Sequence, residues 1–124
     1  MSVLIDSDIL IEVSRGRDRG ILAKWIELAD SNEILLCSPV TVAELWHGAR
    51  PPEYEILTNL FRVLTCVPID HELGRQAGDL LRKYRKSHHL ELGDALIAAT
   101  VSTHGASLWT RNRKHYPMKD LTFY

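Results

Sequence analysis

The sequence predicts a single α/β domain over residues 1–124, a parallel β-sheet covered by helices. Three observations carry this. The strand candidates are short, unbroken apolar runs such as Val3-Leu4-Ile5 and Ile34-Leu35-Leu36-Cys37, the signature of strands buried on both faces. They alternate with longer stretches of helical period, as in βα units. A chain of 124 residues, 45% hydrophobic and 25% charged, is also the size and balance of one globular domain.

The elements follow in order. Val3-Leu4-Ile5 is the first strand, and Ile9 to Val13 opens a helix that ends in the glycine-punctuated loop Ser14–Gly20. Ile21 to Ala29 is amphipathic, with Ile21, Trp25 and Leu28 on one stripe. After the Ile34–Cys37 strand, Ser38-Pro39 is a helix start: serine caps free N–H groups and proline suits the first turn. That helix is expected to run to about Ala49, with Val42, Leu45, Trp46 and Ala49 inward, and another spans Tyr54 to about Leu64. Cys66-Val67-Pro68-Ile69 reads as a strand whose proline marks an edge. A long helix runs from His71 to about His89, and a further one begins near Leu90 or Asp94 and stops at Gly105, a natural C-cap. Ser107–Thr110 and Leu121–Phe123 are the last strand candidates.

The longest apolar run, Ala95 to Ala99, is five residues, against about 20 for a membrane-spanning helix. No basic segment precedes Val3, so no secretory signal is expected. Cys37 and Cys66 lie in apolar segments without metal-ligand spacing and read as reduced, buried thiols of a cytoplasmic protein. The net charge is -1, which argues against a constitutive nucleic-acid coat protein. It is unevenly spread: residues 1–80 hold 7 basic and 13 acidic residues, residues 81–124 hold 8 and 3.

The acids are the informative feature. Asp6 follows the first strand directly, at the strand end where open α/β sheets assemble their sites. Capping the next helix accounts for one of Asp6 and Asp8, not both. Glu44 borders an apolar helix stripe, where a solvated glutamate is the ordinary reading, and Gly48 four residues on leaves space beside it. On a continuous helix Asp94 shares its face with Leu90, Ile97, Ala98 and Val101, and an unpaired carboxylate buried there costs several kcal/mol or more. The alternative makes Asp94 an N-cap after a break at Gly93; the two can hold together. Three carboxylates from three segments suit a hard divalent cation, Mg2+ or Mn2+, which prefers oxygen ligands and keeps waters. His88 and His89 read as cationic residues closing a helix C-terminus. Trp25, Trp46 and Trp109 read as core.

The segments Val3–Ile11, Ser38–Ala49, Leu92–Thr100 and Leu108–Tyr116, in this order and spacing, resemble the PIN-domain ribonucleases, and within them the VapC-type toxins of toxin–antitoxin pairs. The resemblance covers the chain from end to end. It implies a PIN-like nuclease domain whose acidic metal-binding positions are Asp6, Glu44 and Asp94. It implies an endoribonuclease in which Mg2+ or Mn2+ activates water to hydrolyse an RNA phosphodiester. Many members carry a fourth acid at or near the positions of Asn112 and His115, both non-acidic here, so Asn112 is expected to orient water or a ligand by hydrogen bonding. Asp8 stands where the family often has serine or asparagine and is given a supporting role. Arg15, Arg17 and Arg19 in one loop, and Arg111, Arg113 and Lys114 in another, suit an RNA backbone. The family also implies a VapB-type antitoxin that blocks the acidic groove, and a homodimer, for which helices Ile21–Ala29 and Tyr54–Leu64 carry enough apolar residues. Two rivals remain: a haloacid-dehalogenase-type phosphatase starting from Asp6 and Asp8, disfavoured by Leu10 where that family wants threonine or serine, and a non-catalytic RNA- or protein-binding module on the same fold. The sequence leaves open which RNA is cut and whether one ion or two take part.

Overall fold

The computed structural model describes all of residues 1–124. Its sheet has the order β3-β2-β1-β4, with β1 (Ser2–Ile5), β2 (Ile34–Cys37), β3 (Thr65–Cys66) and β4 (Ser107–Trp109) all parallel. The helices are α1 (Ser7–Arg15), α2 (Arg19–Ala29), α3 (Pro39–His47), α4 (Tyr54–Arg62), α5 (His71–His88) and α6 (Leu92–His104).

Side-chain alternation along the strands divides the interior into two cores. Leu4, Leu36 and Leu108 face one side and pack with Leu73 and Ala77 of α5 and with Ala95, Ile97, Ala98 and Val101 of α6. Val3, Ile5, Leu35, Cys37 and Trp109 face the other, against Ile9 and Leu10 of α1, Leu28 of α2, Leu45 of α3, and Leu57 and Leu60 of α4. Burial on both faces is why these strands read as continuous apolar runs.

The helix starts follow local chemistry. Asp6, Asp18, Ser38 and Asp70 each accept a backbone N–H at a helix N-terminus. Gly16 and Gly105 end α1 and α6 with φ of 64° and 59°, left-handed conformations that glycine adopts without a Cβ clash.

Several boundaries differ from expectation. The β3 ladder stops after Cys66: the Val67 N–H still bonds the Cys37 carbonyl at 2.9 Å, but Pro68 has no N–H to extend it. The proline does mark an edge strand. Leu121–Phe123 forms no strand; Phe123 makes one parallel bridge to Leu108, closed by the Leu108 N–H on the Thr122 carbonyl and the Tyr124 N–H on the Leu108 carbonyl, both at 2.8 Å. Helix α6 is N-capped by Glu91, so Asp94 lies in its first turn rather than capping it, and Gly93 does not break it. Gly48 is the C-cap of α3, outside the helix where it was expected to open space. Trp46 is 37% exposed and packs on Tyr54 at the surface, leaving Leu45 as the fully buried side chain of that stripe. Cys66 is exposed, because the edge strand turns it outward, whereas Cys37 is buried and its thiol is pushed up to about 12 by burial and by Cys66 beside it.

Leu4, wholly buried in a central strand, anchors the α5–α6 core. Leu4→Ala is expected to destabilise the protein by about 2–5 kcal/mol, read as a lowered urea midpoint with an unchanged slope.

Candidate active site

Strand β1 carries Asp6 to the carboxyl edge of the sheet, where its backbone N–H extends the pairing to the Trp109 carbonyl at 3.0 Å and its carbonyl begins α1. The residue is 8% exposed, and neutral donors surround its carboxylate. Oδ1 accepts the Ser7 N–H at 2.8 Å. Oδ2 accepts the Thr110 hydroxyl at 3.0 Å and the Tyr116 hydroxyl at 2.7 Å. No cationic side chain bonds it; hydroxyls and a backbone amide hold the charge.

Asp94 comes from the opposite side, on the first turn of α6, where the helix dipole favours an anion. Ile97, Ala98 and Val101 of its face are buried, as the sequence pattern predicted, and Leu90, also buried, lies ahead of the helix rather than on it. The Tyr116 hydroxyl lies 3.3 Å from Asp94 Oδ1, so one phenol bridges two carboxylates; its single proton belongs to the shorter bond, to Asp6. Burial and the surrounding carboxylates hold that phenol well above its ordinary range, so it remains a donor. Burial, then the charge of Asp6, raises the Asp94 carboxyl, while His115, with Nδ1 at 3.9 Å from Oδ2, works the other way.

Glu44 reaches the same space from α3. Its Oε1 accepts the Ser7 hydroxyl at 2.7 Å, linking α1 to α3. A Cβ on Gly93 would lie 3.3 Å from Val40 Cγ1, so the glycine lets α6 approach α3 and brings the helices of Glu44 and Asp94 together.

Asp8 and Asn112 complete the arrangement. Asp8 Oδ2 accepts the Arg111 N–H and the Asn112 side-chain amide, both at 3.0 Å. Its Oδ1 is buried without a partner. Burial, then the Asp6 charge, raises this carboxyl too. Asp8 thus lies beside Asn112, whose side-chain amide donates to it.

These groups surround a cavity of about 420 Å3 with no apolar lining residue. Asp6, Asp8, Glu44, Asp94 and Asn112, named from the sequence, all line it, as do His115 and Lys114. His88 and His89 line it as well, so closing α5 is not their only place in the fold. Of the two arginine loops only Lys114 reaches it; Arg17 and Arg111 both pair with Glu12 at 3.4 Å. Sequence reasoning passed over Thr110 and Tyr116. A tyrosine only 4% exposed needs a partner for its hydroxyl, but only the fold reveals that two acids supply it.

No three His, Cys, Asp or Glu side chains close on one point as a ready ligand cage. The donor set still fits a hard divalent cation. Carboxylate oxygens predominate in it, the buried Asp8 Oδ1 standing without a partner beside them, and Mg2+ is ordinarily held by one or two carboxylates with retained waters and substrate phosphate rather than by a protein cage.

A parallel sheet with a carboxylate cluster at its carboxyl edge defines the class, and the PIN-domain family model matches residues 3–121. The chain belongs to the PIN-domain family. It is 38% identical over 119 residues to ribonuclease VapC10 of Mycobacterium tuberculosis, covering 94% of this chain and 86% of that protein. A toxin–antitoxin complex from Klebsiella pneumoniae superposes with a TM-score of 0.74 at 25% identity, over 95% of this chain and 92% of that one. VapBC2 from Rickettsia felis, bound to a DNA fragment from its promoter, superposes with a TM-score of 0.83 at 19% identity, over 100% and 98%.

The raised carboxyls give a signed prediction. With folded values above the unfolded 3.8, the native state holds more protons, so Asp8 and Asp94 subtract stability as pH rises through that window. Asp94→Asn is expected to raise the melting temperature of metal-free protein at neutral pH, with the gain vanishing below the unfolded value. An equal gain at every pH would contradict this.

Proposed function

We propose that the protein is a Mg2+-dependent endoribonuclease, the toxin of a type II toxin–antitoxin system, neutralised by a VapB-type antitoxin. The observation that carries this reading is the wholly polar cavity at the carboxyl edge of β1 and β2, where Asp6, Glu44 and Asp94 converge from three segments. The ribonuclease relative and the Klebsiella complex support it in kind.

In this reading Asp6, Glu44 and Asp94 hold the cation, Mg2+ before Mn2+. When bound, the ion supplies Lewis acidity toward water and charge neutralisation for a phosphodiester. The chain's own residues prepare the place. Ser7, Thr110 and Tyr116 fix Asp6 by neutral hydrogen bonds, which orient the carboxylate without cancelling its charge. Ser7 also fixes Glu44. Asn112 lines the cavity with its amide on Asp8, and in this reading its carbonyl oxygen and second N–H orient water or substrate. The domain acts in the cytoplasm, where its RNA substrates are.

A cationic antitoxin side chain entering the cavity would take the cation's electrostatic place, which is how a VapB-type partner would block it. A homodimer is part of the same reading: Ile26 on α2, and Tyr54 and Ile56 on α4, are 46–59% exposed and supply apolar surface for it. No helix of the chain is long and apolar enough to cross a membrane.

Purified protein incubated with total cellular RNA is expected to yield discrete fragments with Mg2+, none with chelator, and none with the Asp6→Asn/Asp94→Asn double variant. Absence of cleavage by folded, antitoxin-free protein would favour a binding module on the same fold. A parallel readout is thermal stability. Mg2+ at about 100 times its Kd is expected to stabilise the wild type by about 2.7 kcal/mol and to leave the double variant unmoved.

A further inference from the structure

The cavity lining is not acidic throughout. Beside the carboxylates, Glu91 included, stand His88 and His89 from the end of α5, and Lys114 and His115 from the turn Arg113–His115. Only His115 stands against one of the acids, 3.9 Å from Asp94, and His88 and His89 pair with none of them.

Two further observations show that the histidine wall is built rather than incidental. His89 is the α5 C-cap, with φ 53° and ψ 37°, and is the sole non-glycine residue in the chain with positive φ. The helix ends at Gly16 and Gly105 use glycine in this conformation. Here an imidazole stands where glycine would cap with less strain, at the mouth of the cavity. His88 is held from two sides: Ser87 Oγ lies 2.7 Å from its Nδ1, and the Tyr84 ring packs edge-on at a centroid distance of 5.6 Å. Its Nε2 makes no bond within the chain.

We propose that His88, His89 and Lys114 form a subsite for the RNA backbone, holding a phosphate of the strand beside the acids. This rests on the ribonuclease reading and adds which residues grip the substrate. A phosphate takes up the ammonium of Lys114 and the ring N–H donors of the histidines. The subsite is blind to base identity, because the phosphate it grips is common to every nucleotide and no Phe, Tyr, Trp or apolar side chain lines the cavity to select a base, stacking on imidazole being sequence-tolerant.

The test uses a short fluorescein-labelled single-stranded RNA of mixed sequence, titrated by anisotropy in EDTA, where the proposed cleavage is silent. His89→Gly keeps the left-handed cap and removes the ring. It is expected to weaken binding about tenfold, the loss of one hydrogen bond to a charged group, with the melting temperature unchanged or raised. Lys114→Ala, at an exposed position, is expected to flatten the log–log salt dependence by about 0.7, one phosphate contact to a single strand. Labelled oligo(U) and oligo(A) are expected to bind alike. Wild-type affinity in His89→Gly, an unchanged slope in Lys114→Ala, or a preference of more than about tenfold between the homopolymers would overturn the subsite. So would wild-type protein that binds no RNA in EDTA. Mg2+-dependent cleavage of total RNA by the same preparation separates a failed subsite from a failed nuclease reading: if it persists, only the subsite falls.

Discussion

Everything at this site depends on holding a nearly buried aspartate charged without a cation of its own. Asp6 sits at the end of a central strand, 8% exposed, with its two oxygens bonded only to a backbone amide and two hydroxyls. Neutral donors stabilise the anion but leave its net charge in the cavity. That residual charge raises Asp8 and Asp94, adding to the cost of burying them. A structural ion pair would have quenched it; this arrangement keeps it available.

The surrounding architecture serves that end. The strand must be apolar on both faces to pin Asp6 at its edge, and the two cores supply this through Leu4 on one side and Val3 and Ile5 on the other. Tyr116 reaches Asp6 from a segment 110 residues away in sequence, and Thr110 from the end of β4. Gly93 lets α6 approach α3 at Val40, near Asp94 and Glu44. Stability and the proposed function pull in opposite directions at Asp94: a carboxylate that a cation would require is one whose burial costs the metal-free fold.

Much of this was legible in the sequence, for identifiable reasons. Unbroken apolar runs announce doubly covered strands, so the parallel sheet and most helices could be read directly. An aspartate on the apolar face of α6 was conspicuous because that face is otherwise Ile97, Ala98 and Val101. What escaped were features fixed by distance rather than pattern. The Tyr116 bridge joins three segments, and nothing local marks it. The role of Asp8 depends on where Asn112 folds back, at 3.0 Å. His88 and His89 matched a helix ending so well that their exposure to the cavity left no trace in the sequence. The short edge elements were overread for a simpler reason: Pro68 stops the β3 ladder after two residues, and at Phe123 the pairing is a single bridge.

The central claim is that the acids around Asp6 form one cation site, completed by solvent and substrate rather than by a protein cage. The most direct measurement is anomalous diffraction from crystals soaked in Mn2+. The account predicts a peak in the cavity contacted by Asp6 and Asp94, and its loss in Asp94→Asn crystals. No peak there, or one on His88 and His89 away from the carboxylates, would contradict it.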